Sequence, residues 1–130
     1  RVTELEKPRK IEEPLWVGSV LPLNTDTVQP NKKLSECNSG WLLLWSDYND
    51  TDGNAGNFDY ASTFIPKKRV NGAWSGQSFL DVISASMADD GSNFIIVKKL
   101  AIYDEFISGF AGNGATTHGK DICLRAIYEV

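Results

Sequence analysis

The sequence predicts an all-β domain, folded as an antiparallel β-sandwich, jelly-roll or barrel-like unit. Three features lead to that class. Short apolar runs recur along the chain, each cut by Pro, Gly, Asn or Asp. The runs are rich in β-branched and aromatic residues, which suit a pleated surface. No segment carries a sustained helical period.

Taken in order, Leu15–Leu21 is the first expected strand and stops at Pro22. Thr25–Gln29 is a short second one before Pro30. Trp41-Leu42-Leu43-Leu44-Trp45 is a continuous apolar run bounded by Asn38-Ser39-Gly40 and Ser46-Asp47. Its shortness argues for a strand buried on both faces rather than a helix. Phe58–Ile65 alternates and ends at Pro66. Phe79–Ile83 and Phe94–Tyr103 flank the turn cluster Asp89-Asp90-Gly91-Ser92-Asn93. Asp104-Glu105 then turns the chain into Phe106–Phe110, and a small-residue loop follows over 111–119. Asp121–Val130 is the last strand, with Ile122, Leu124, Ala126 and Tyr128 expected on one face and Cys123, Arg125 and Ile127 on the other. The last three segments read as a meander, and the whole as about eight strands. Residues 1–14 differ: they are highly charged and carry Pro8 and Pro14, so they read as a linker or the end of a stem. The domain proper is 15–130, and the start at Arg1 reads as a piece of a longer protein or as a processed one.

Composition narrows the function classes. The chain has 130 residues, 42% hydrophobic and 23% charged, which are globular values. Its net charge of −4 opposes polyanions, so no nucleic-acid partner is expected. No apolar run is long enough to insert in a membrane. Cys37 and Cys123 are too few for a disulfide framework and read as buried thiols, with a single bridge as the alternative. The single histidine, His118, cannot by itself make a zinc site, and no serine has a nucleophile context, so neither metal, cofactor nor catalytic triad is expected. Most of the candidate carboxylates sit in turn contexts with Gly or Asn, where Asp is expected for its own backbone hydrogen bonds, rather than as a catalytic pair. Asp47–Asn54 hints at a calcium loop but fits neither register of the helix–loop–helix pattern. The expectation is a binding module, not an enzyme.

The candidate ligand residues follow from aromatic and polar groups placed on loops. Trp74 sits among the turn formers Asn71-Gly72-Ala73 and Ser75-Gly76. Tyr48 lies at a strand end beside Asp47 and Asn49. Indole and phenol rings offer faces on which sugars stack. Asn113 and His118 belong to the glycine-rich 111–120 loop, the kind of segment that carries variable recognition. Trp41 and Trp45 bracket an apolar run and belong to the core.

One ordered set of strings is recognisable. Leu15-Trp16-Val17-Gly18 leads to Pro30-Asn31-Lys32-Lys33-Leu34-Ser35-Glu36-Cys37, then Gly40-Trp41-Leu42-Leu43-Leu44-Trp45-Ser46-Asp47-Tyr48. Phe64-Ile65-Pro66-Lys67, Leu100-Ala101-Ile102-Tyr103-Asp104 and Leu124-Arg125-Ala126-Ile127 follow. Over residues 15–130 this order resembles the C-terminal head of tail-fibre and baseplate receptor-binding proteins in phages of Gram-positive bacteria. The resemblance implies a β-rich head at the distal end of a tail fibre or baseplate of the virion, a homotrimer joined to an upstream fibre stem, and adhesion to a host cell-wall glycopolymer such as teichoic acid. A trimerisation cap without its own ligand is the alternative, and a wall-polymer hydrolase a more distant one. The strings themselves read as fold-making residues: Leu34 and Trp41–Trp45 for the core, Cys37 as a small buried hydrophobe.

Overall fold

A computed structural model describes residues 13–49, 51–67, 78–87, 93–114 and 121–130, with backbone alone over 78–87 and 93–95. Nine strands appear among them: β1 (Trp16–Val20), β2 (Thr27–Val28), β3 (Gly40–Asn49), β4 (Asn54–Ala55), β5 (Ala61–Pro66), β6 (Ser78–Met87), β7 (Asn93–Ile102), β8 (Ile107–Ser108) and β9 (Ile122–Glu129). All described pairings are antiparallel. They form two curled sheets, one running β1-β9-β3 with β5 and β4 along the far side of β3, the other running β2-β8-β7-β6. The fold class is the expected all-β one, with the curled sheets forming a half-barrel.

The core lies between the sheets. Trp41, Leu43, Trp45, Ile65, Leu124 and Ile127 come from the first sheet; Val28, Ile96, Leu100, Ile102 and Ile107 come from the second. Both core indoles find acceptors, Trp41 Nε1 donating to Lys32 O (3.1 Å) and Trp45 Nε1 to Thr63 Oγ1 (3.2 Å). Buried tryptophan therefore carries no unsatisfied N–H here. Gly40 is required where β3 starts: its φ is +156°, and a Cβ there would fall 2.1 Å from Ile65 O across the ladder.

Three expectations need correction. First, β3 is not buried on both faces: Trp41, Leu43 and Trp45 are fully buried while Leu42 and Leu44 are half-buried, so one face meets the core and the other does not. Second, β9 does not alternate as its sequence suggests. Its register against β3 slips between Leu44 and Trp45: Leu44 pairs with Ala126 and Trp45 with Leu124, leaving Arg125 as the extra residue of a bulge. The bulge shifts the phase, so Ile122, Leu124 and Ile127 reach the core while Ala126 and Tyr128 face away. Third, the last three segments are not a meander. β7 and β8 pair, but β9 crosses to the other sheet and lies between β1 and β3. The meander is β6-β7-β8.

The recognisable strings hold one another together. Asp104, which follows β7, takes Ser35 N on Oδ1 (2.8 Å) and Ser35 Oγ on Oδ2 (2.9 Å), and its carbonyl takes Leu34 N (2.8 Å). That fixes the 3-10 turn Leu34–Glu36 and seats Leu34 in the core. Lys32 Nζ meets both carboxylate oxygens of Glu129 at 3.1 Å, and Glu129 Oε2 also takes Asn38 N (2.9 Å). Asp104→Ala should therefore lower stability by about 1–3 kcal/mol, the cost of two lost hydrogen bonds to a charged acceptor. A urea midpoint identical to the parent's would show that Ser35 finds another partner.

Both cysteines are buried free thiols. Cys37 Sγ donates to Lys33 O (3.4 Å), and Cys123 Sγ lies 3.6 Å from Ser19 Oγ. Desolvation is the main cause that pushes both thiols above their ordinary pKa.

Candidate ligand-binding surface

The candidate surface forms where β3 runs past the core. Tyr48 and Asn49 pair with Ala55 and Asn54, so β3 and β4 make a hairpin around Gly53, which adopts a left-handed φ of +73°. The loop holds itself: Thr51 N donates to Asn49 Oδ1 (2.9 Å), Asn54 N to Asp52 Oδ1 (3.0 Å) and Gly53 N to Asn49 O (2.8 Å). Asn49 and Asp52 thus serve the turn itself. No group of three or more metal-ligating side chains occurs among the described residues.

Beyond the hairpin the chain folds back beside β3. Gly56 N donates to Asp47 O (2.8 Å) and Asp47 N to Phe58 O (3.1 Å). Arg125, lifted out by the bulge in β9, ties the region down. Its Nη1 donates to Ser46 Oγ (3.0 Å), Gly56 O (3.0 Å) and Asn57 Oδ1 (3.2 Å). Charged donors make strong bonds, so one guanidinium fastens the Gly56 carbonyl and the Asn57 side chain to the sheet. Ser46 is wholly buried beneath it.

Two aromatic rings stand at this anchored edge. Phe58 is 57% exposed and Tyr60 53% exposed. The Phe58 ring lies against Gly56, where a Cβ would come within 2.6 Å of it. Asp59 between them takes a left-handed φ of +56°, a conformation that Asp tolerates better than most residues. The chemistry on offer is flat aromatic faces beside fixed amide, carbonyl and guanidinium groups, held on a rigid sheet. That combination suits a neutral or weakly charged polar ligand such as a sugar.

The structure brings two of the five sequence candidates together here. Asp47 contributes its backbone to the tether, and its carboxylate lies close to Gly56. Tyr48 is half-buried, donates its N–H to Asp121 O (2.8 Å) and points its hydroxyl toward Gly53. Asn113 is elsewhere and inside. It is 3% exposed, its Nδ2 donates to Pro22 O (2.7 Å) and Lys99 O (2.9 Å), and its Oδ1 takes Lys99 N (2.9 Å). All of that amide is spent on pinning backbone, so Asn113 positions its loop and does not present itself to a ligand. Trp74 and His118 lie outside the described residues. Sequence reasoning missed Arg125, Phe58 and Tyr60. The signal for the two aromatics was present, since Asn57 and Asp59 flank Phe58 as Asp47 and Asn49 flank Tyr48, and Asp59 precedes Tyr60. Arg125 carried none, because nothing local announces the bulge.

No family model, curated protein or solved structure matches the chain.

Proposed function

We propose that this chain is the receptor-binding head of a tail fibre or baseplate from a phage of Gram-positive bacteria. It adheres to a wall glycopolymer of the host, such as teichoic acid or its sugar substituents, and does not turn it over. The head works as a homotrimer on an upstream fibre stem, where several weak sites on one virion raise adhesion by about 10²–10⁴.

The observation that carries the reading is the pair of exposed rings, Phe58 and Tyr60, beside the loop that Arg125 fastens. Large exposed aromatics on a tethered loop cost little ordering entropy on binding and mark contact surfaces. The recurring strings support it from the other side. Their described polar contacts, Ser35 to Asp104 and Lys32 to Glu129, are spent within the fold, which leaves recognition to the loops. The test is binding of the fluorescently labelled chain to intact Gram-positive cells, with and without their wall teichoic acid or wall polysaccharide. Labelling should vanish with the glycopolymer. A folded sample that labels no host in a broad panel would leave the chain as a structural cap.

A further inference from the structure

β5 lies at an edge of the first sheet: among the described strands it pairs with β3 alone. Edge strands are commonly guarded by charge. From Tyr60 through Pro66, however, no side chain is ionised. The packing fixes which of them face out. Ile65 is wholly buried and Thr63 Oγ1 accepts Trp45 Nε1 (3.2 Å), so the odd-numbered side chains face the core. Ser62 and Phe64 stand on the opposite face, and Tyr60, one residue before Ala61, continues their series. Phe64 is 46% exposed and Tyr60 53% exposed, with the exposed Ser62 between them. Beyond Tyr60 the left-handed Asp59 bends the chain, and Phe58 follows with its ring over Gly56.

We propose that the ligand site is not a pocket for one sugar but a strip along β5, from Phe58 to Phe64, that holds several consecutive sugar units of a glycan chain. The inference rests on the receptor-binding reading and names the form of its ligand. Tyr60 and Phe64 are four residues apart on an extended strand, about 13 Å. A single sugar ring does not span that distance. A chain laid along the strand does, and it presents apolar C–H faces at intervals with hydroxyls between them. The strip answers both. It has an aromatic ring at Tyr60 and another at Phe64, with the Ser62 hydroxyl between them. Half-buried Leu44 and Leu42, paired with Ser62 and Phe64, form an apolar floor beside it. With no cation between Tyr60 and Pro66, the strip fits neutral units and not phosphate groups. It runs into the surface tethered by Arg125, so one chain meets Phe64, Tyr60 and Phe58 in turn. A single unit seats at the Phe58 and Tyr60 end, beside the fixed polar groups.

The test uses two probes cut from the purified wall glycopolymer of a host that the chain labels: its single repeating unit, and chains of several units. Calorimetry measures both against the parent, Phe64→Ala, Phe64→Tyr and Tyr60→Ala. Phe64 and Tyr60 are exposed, so the variants should fold, with the urea midpoint as the check. The parent should bind the chains at least about tenfold more tightly than the unit. Phe64→Ala should lose about tenfold for the chains and nothing for the unit, while Tyr60→Ala should weaken both. Phe64→Tyr keeps the ring and should bind as the parent does. Equal binding of unit and chain by the parent would overturn the strip. So would a preference for chains that survives Phe64→Ala, since it would come from bridging between copies. A folded parent that labels no host cell removes the receptor reading itself, and the strip with it.

Discussion

Cells should bind an Arg125→Ala head at least about thirtyfold more weakly than the parent, a loss of roughly 2 kcal/mol or more that marks a binding hot spot. Arg125 Nη1 is the one described donor that joins the sheet, through Ser46 Oγ, to the Gly56 carbonyl and the Asn57 side chain. Without it the segment keeps its backbone bonds from Gly56 N to Asp47 O and from Asp47 N to Phe58 O, but the Gly56 carbonyl and the Asn57 side chain lose their charged tether, which loosens the loop on which the Phe58 ring rests. The guanidinium is partly exposed, so folding should suffer by only about 1 kcal/mol. Affinity should therefore fall much further than stability. Arg125→Lys separates charge from reach: all three contacts fall on the one atom Nη1, and lysine keeps the charge but carries its ammonium one bond closer to the backbone. It should recover part of the stability and little of the binding. Tyr60→Ala and Phe58→Ala serve as companions, since both rings are more than half exposed and their removal should leave the urea midpoint nearly unmoved. Undiminished cell binding by Arg125→Ala and Tyr60→Ala together would move the site away from this edge.

The fold was legible where structure depends on local pattern. The continuous apolar run Trp41–Trp45 marked β3 as a core strand, though only one of its faces meets the core, and Pro22, Pro30 and Pro66 sit where strands end. Strand partners were less legible, because pairing is decided between residues far apart in sequence. Nothing near Asp121–Val130 says that this strand leaves β8 and inserts between β1 and β3. The bulge at Arg125 is the costliest omission. One extra residue inverted the expected faces of Ala126, Ile127 and Tyr128, and the same residue organises the candidate site. Asn113 failed for a related reason: an Asn among glycines reads as a surface loop, yet its amide pairs with backbone from two other segments, at Pro22 and Lys99. A residue's partners decide its role, and these partners lie 91 and 14 positions away.

Lys98 supplies the second large effect, and its sign is opposite to that of an ion-paired lysine. The Lys98-Lys99 pair falls mid-strand in β7, where Lys99 is exposed and Lys98 is wholly buried. The Lys98 ammonium donates to Asn113 O (2.8 Å) and Leu21 O (3.5 Å), both neutral carbonyls. Burial lowers its pKa from 10.5 to about 8, with Cys123 and Asp121 opposing the shift. The unfolded chain thus keeps this proton over a pH range in which the folded chain has released it. Stability should rise as pH increases from about 8 toward 10.5, by up to about 3 kcal/mol. The buried thiols act the other way. Their raised pKa values make the folded state hold protons that the unfolded state gives up at alkaline pH, which erodes stability there. Comparison with Lys98→Met separates the two, because both proteins keep Cys37 and Cys123. At pH 7 the variant loses two carbonyl contacts but also the penalty of a buried charge, so the two proteins should be close. Between pH 8 and 10 the difference in urea-unfolding free energy should swing toward the parent by roughly 2 kcal/mol or more. A difference that stays flat across that range would mean that Lys98 holds its proton in the folded chain as firmly as in water, and that water or a carboxylate reaches it.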